Sequence, residues 1–117
     1  ADLPRHSLVG YVPDFLFSPE LDYLDKVHAG LEANLRATSI NMQYRMIVDG
    51  AGIGVLPDFI GRQDRRLVPV LSTEVEIVRS FWLVIHEDLR RLPRIEAVAQ
   101  WLHQRAAQLK TPELRIK

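Results

Sequence analysis

The chain contains no cysteine. That removes a disulfide framework, a thiolate zinc site and a thiol nucleophile, and it suits a reducing compartment. An excess of one charge is missing as well, since fifteen Lys+Arg face fifteen Asp+Glu for a formal net charge of +0. A surface that reads nucleic acid carries a basic excess to neutralise phosphates, so charge argues against DNA contact by these residues. Long apolar runs are lacking. Phe81 to Ile85 is among the longest and falls far short of the ~20 residues that cross a bilayer. No basic start followed by an apolar stretch follows Ala1, so no signal peptide is visible. His6, His28, His86 and His103 are scattered without HExxH spacing, and Ser7, Ser18, Ser72 and Ser80 lack a GxSxG frame. No catalytic residue, metal or cofactor is expected, and Glu20, Asp22 and Asp25 read as the solvated start of a helix.

What is present is an ordinary globular composition: 117 residues, 47% hydrophobic and 26% charged. One domain or one lobe is expected, able to bury roughly two thirds of its unfolded surface. Ser7 to Val12 is a short apolar run closed by Pro13-Asp14, the pattern of a buried strand entering a turn. Ser18-Pro19-Glu20 predicts a helix start, with Leu21, Leu24 and Val27 on one face and Gly30 as the stop. A short strand at Ala33 to Ala37 runs into Thr38-Ser39. The stripe Ile40, Tyr44, Ile47, Val48 and Ala51 then predicts an amphipathic helix from about Ser39 to Asp49. Strands are expected at Ile53 to Leu56, Leu67 to Leu71 and Val75 to His86, the last covered on both faces. Beyond Pro93, the residues Ile95, Val98, Trp101, Leu102 and Leu109 trace a long helix, and Thr111 to Lys117 reads as a frayed tail. Strands alternating with helices imply βαβ units and a mainly parallel sheet.

Gly50-Ala51-Gly52-Ile53-Gly54 invites a dinucleotide-binding reading, but its spacing breaks GxGxxG. The order is wrong too, because a phosphate loop follows a strand and opens a helix, whereas here a helix precedes and a strand follows. Gly50 or Gly52 is therefore expected in a left-handed helix cap, and Gly54 at a close strand-to-helix approach. Thr38-Ser39 is the stronger candidate. Where a strand runs into a helix, hydroxyls and the free amides of the first turn, near Ile40 and Asn41, converge at the carboxyl edge of the sheet and attract anions. The bland alternative is that Ser39 only caps its own helix. By the same edge rule Pro13-Asp14 and Pro57-Asp58-Phe59 border the crevice, with ordinary turn chemistry as their alternative. Ligand-binding candidates are thus Thr38, Ser39, Ile40, Pro13, Pro57 and Phe59. The basic clusters Arg62-Arg65-Arg66 and Arg90-Arg91-Arg94 are split by acids and read as solvated surface.

Leu35-Arg36-Ala37-Thr38-Ser39-Ile40, Gln43 and Gly50 to Pro57, together with Leu8 to Tyr11, Leu67 to Leu71, Ser80 to Val84 and Pro93 to Leu102, carry a resemblance over nearly the whole chain. The chain resembles the carboxyl-terminal part of the effector-binding domain of a LysR-type transcriptional regulator. The resemblance implies an α/β, type II periplasmic-binding-protein-like lobe with a mainly parallel sheet flanked by helices. It implies residues 1–88 as the second lobe, 89–110 as a helix returning to a first lobe absent here, and 111–117 as a tail. The position matching Thr38 is, in some members, a hydroxyl contact for the effector's carboxylate or sulfate. The implied protein is a cytoplasmic, non-enzymatic sensor of a small acid. It is a dimer or tetramer through this domain and touches DNA only through an amino-terminal helix-turn-helix outside these residues. One lobe of a transporter's solute-binding protein shares the fold and stays open at this point. An enzyme on the same scaffold is disfavoured by the lack of a paired acid and base.

Overall fold

The computed structural model describes residues 2–16, 18 and 21–109. They fall into two compact units, Ala1–Ile77 and Val78–Lys117. The first unit is built on a three-stranded parallel sheet of β1 (Leu8–Tyr11), β2 (Leu35–Ala37) and β3 (Ile53–Gly54), in the order β2-β1-β3. β1 takes the centre because it is apolar on both faces, as a strand covered by helices must be. Leu8 is 4% and Val9 1% exposed. The register sets Val9 beside both Leu35 and Gly54, and Tyr11 beside Ala37. All three carboxyl ends therefore lie along one edge.

The two sheet faces are covered differently. Leu8 and Ile53 are partners, share a face by strand alternation, and join Leu24, Ala33, Leu31 and Val55 in the hydrophobic cluster. Leu24 comes from α1 (Tyr23–Val27). The expected helix start at Pro19-Glu20 lies outside the described residues. The other face, carrying Val9 and Gly54, meets α2 (Ile40–Val48), whose bounds agree with the apolar stripe. A Cβ on Gly54 would stand 2.7 Å from Ile47 Cδ1, so the absent side chain is what lets helix and strand approach. Gly50 takes φ +80, the left-handed conformation that ends α2. Both glycine roles expected for this segment hold.

Further along, Pro57 caps the short α3 (Asp58–Gly61). Three strand expectations need correction. β3 stops at Gly54 instead of Leu56, and neither Leu67 to Leu71 nor Val75 to His86 forms a strand among the described residues. A strand exists only where a neighbour completes its ladder. Val68 is 79% exposed and Val84 87%, and neither run has a ladder partner among the described residues. The buried apolar residues described reduce to Leu8, Val9, Leu24, Ala33 and Ala37, a smaller core than the composition promised. The second unit contains α4 (Pro93–Gln108), which starts on Pro as expected. Its stripe residues Val98, Trp101 and Leu102 are exposed. Arg105 stacks on Trp101 at 5.7 Å.

Candidate ligand site at the carboxyl edge of the sheet

β2 hands the chain to α2 through two residues, Thr38 and Ser39, both exposed. Ser39 is extended (φ −136, ψ 150) and its Oγ accepts from Met42 N at 3.3 Å, so it caps the helix. The amides of Ile40 and Asn41 belong to the first turn, where a helix has no internal acceptor to offer. The bond from Val12 N to Ala37 O, at 3.2 Å, carries the β1–β2 pairing to the brink of this junction. Pro13 opens a 3-10 turn (Pro13–Phe15) directly after β1. Pro57 and Phe59 are half-buried around the start of α3, shortly after β3. Each expected site residue thus follows the carboxyl end of a strand.

A cavity of about 190 Å³ lies in the same unit. Of the six expected residues, Pro13 alone is part of its lining, whereas Thr38, Ser39, Ile40, Pro57 and Phe59 are outside it. The lining instead brings in Tyr11, Arg36 and Gln43, which the strand-edge argument did not single out. Arg36 shares a sheet face with its partner Gly10, and its Nε donates to Ala33 O at 2.9 Å. One of its terminal nitrogens lies 3.8 Å from Glu32, a loose pair between exposed side chains. Burial, then the neighbouring Tyr23, raises the Tyr11 phenol above its ordinary 10.0.

Gln43 is 1% exposed and its Nε2 has no hydrogen-bond partner among the described residues. A signal for it existed in the sequence. Gln43 stands three residues after Ile40 and four before Ile47, a polar side chain on the apolar stripe itself. Arg36 carried no comparable mark, because a base in a three-residue strand is as consistent with solvent as with a ligand.

Behind this edge, Tyr44 on α2 donates its hydroxyl to Asp64 Oδ2 at 2.6 Å, and Arg66 grips the same carboxylate with Nε at 3.0 Å and Nη2 at 2.7 Å. The bonds from Arg66, then Tyr44, hold Asp64 far below its ordinary 3.8. Arg66 is solvent-exposed, as expected, but paired with Asp64. The Tyr44–Asp64 bond fastens the loop after α3 to α2. Among the described residues there is no cluster of His, Cys, Asp and Glu fit for a metal. No helix of the described residues is long and apolar enough to cross a membrane.

With the fold and its edge in place, the chain can be set among known proteins. Residues 1–107 match the LysR substrate binding domain. The chain belongs to that family, whose fold is of the type II periplasmic-binding-protein kind and whose members are the effector-binding modules of LysR-type transcriptional regulators. The match favours the regulator over the transporter lobe. Neither the curated proteins nor the solved structures returned a match.

Proposed function

We propose that this chain senses a small carboxylate-bearing molecule at the carboxyl edge of its sheet, in a cleft between this lobe, residues 1–88, and a second lobe to which 89–110 returns. The observation that carries the reading is the β2–α2 junction. Two exposed hydroxyl residues precede a helix whose first amides have no acceptor within the helix, the arrangement that binds anions. By the strand-edge rule Pro13, Pro57 and Phe59, each shortly after a strand, are the other walls of the crevice, and Arg36, two residues before Thr38, supplies a permanent cation. The ligand undergoes no reaction. Its binding energy biases two lobe arrangements only through its difference in affinity for them, and a homo-oligomer passes that bias to a DNA-binding segment of the regulator. Such a regulator works in the cytoplasm.

The test is direct binding of short alkanoates, acetate to octanoate, to this chain and to Thr38→Ala and Ser39→Ala. Each variant is expected to lose about tenfold in affinity, the loss of one charge-assisted hydrogen bond of roughly 1.4 kcal/mol. Parental affinity in both would remove the hydroxyl pair from the site.

A further inference from the structure

Gln43 combines two properties that a structural role does not explain. Its amide nitrogen is buried without an acceptor among the described residues, and Gln43 belongs to the lining of the cavity near the sheet edge. Buried donors are nearly always paired, because leaving one unpaired forfeits its hydration with nothing in return. The fold does not call for an amide here. The backbone of Gln43 is already bonded to Ser39 O at 3.1 Å, and an apolar side chain in this place would continue the stripe of Ile40 and Ile47. α2 begins where β2 ends, so its first turn brings Gln43 to the carboxyl edge, where Tyr11, Pro13 and Arg36 also line the cavity.

We propose that the Gln43 carboxamide is a ligand-binding donor, giving its Nε2 hydrogen to an oxygen of a small carboxylate whose apolar body rests on Leu24, Leu31 and Val55. The proposal rests on the effector reading above and adds its specificity determinant. A volume of about 190 Å³ is smaller than the pockets that take drug-sized molecules, so the ligand is compact. Arg36 supplies charge for the same anion, since its bond to Ala33 uses only Nε and leaves the outer guanidinium nitrogens to one loose contact with Glu32. Gln43 adds direction, because a buried neutral donor rewards an oxygen and penalises a ligand lacking one.

The experiment measures thermal midpoints and affinities on this chain, with hexanoate and hexylamine as probes, for the parent, Gln43→Leu, Gln43→Met and Gln43→Glu. Removing an unpaired buried amide is expected to raise the unliganded midpoint of Gln43→Leu or Gln43→Met by about 4 °C. The same change should weaken hexanoate at least tenfold. Gln43→Glu should lose hexanoate further and gain hexylamine. Stability and affinity moving in opposite directions is the signature of a residue kept for its ligand. A lower midpoint in both apolar variants would mean that the amide holds the fold, and would overturn the proposal. Parental hexanoate affinity in Gln43→Leu, or a parent that takes hexylamine in preference to hexanoate, would overturn it too. Thr38→Ala and Ser39→Ala run alongside separate the two ideas. Loss in those variants with none in Gln43→Leu removes Gln43 alone, while the reverse moves the binding seat from the hydroxyl pair into the cavity.

Discussion

Leu8-Val9-Gly10-Tyr11 and Phe81-Trp82-Leu83-Val84-Ile85 are both apolar runs that read as buried strands, yet they end in opposite environments. In the first, Leu8, Val9 and Gly10 are buried between two parallel neighbours, with helical residues over the sheet. In the second, Phe81 is 51%, Trp82 61% and Val84 87% exposed, and no described ladder includes the run. The difference teaches that apolar composition nominates a strand but pairing makes one. β1 has its partners within fifty residues, on either side of one helix, so the βαβ crossover closes locally.

The comparison can be broken most sharply at Gly52, which holds β3 against the start of β1. A Cβ there would strike the Ser7 carbonyl, which is also the acceptor for Ile53 N at 2.8 Å. Gly52→Ala is expected to cost roughly 4 kcal/mol, from overpacking against backbone plus a lost hydrogen bond, read by urea titration. Next comes the matched pair Leu8→Ala and Val84→Ala. The first should cost roughly 3 kcal/mol by leaving a cavity, and the second should stay within about 0.5 kcal/mol. Equal costs would show that the run at 81–85 is as buried as β1.

Smaller effects separate helix capping from ligand binding. Ser39→Ala should lower stability by about 1 kcal/mol without ligand, because Met42 N loses its acceptor. Thr38→Ala should leave stability nearly unchanged and affect affinity alone. A pH-dependent effect belongs to Asp64→Asn. A carboxyl held below its ordinary 3.8 in the folded state stabilises that state above pH 3.8 and loses this contribution as pH falls through the lowered value. Thermal midpoints of parent and Asp64→Asn should therefore differ at neutral pH and converge on acidification. A constant gap would show that Arg66 and Tyr44 do not act on this carboxylate.

Much of the first unit was legible in advance. The stripe from Ile40 to Val48, the hydroxyl cap at Ser39 and the left-handed Gly50 are local matters of period, capping and backbone freedom, and each falls where expected. The close approach at Gly54 was legible for a similar reason, since a glycine between helix and strand signals contact. The extents of the later segments were not. Leu67 to Leu71 alternates little and its Leu71 adopts φ 56, so the run bends into a turn instead of continuing. At the site, the edge rule pointed to the residues that follow the strands. It passed over Arg36 and Gln43, because their importance comes from a cavity shared by elements distant in sequence.

Taken alone, the order of residues determined where α2 and α4 lie, how α2 starts and stops, and that the strands run parallel, because these follow from short-range sterics, capping and a repeated apolar period. Only the tertiary structure decided which apolar runs find a partner, that Asp64 is clasped by Tyr44 and Arg66, and that the Gln43 amide nitrogen lies buried beside a cavity with no acceptor among the described residues. The physical reason is that ladder partners, cavities and desolvation belong to pairs of residues far apart along the chain, and no local pattern records them.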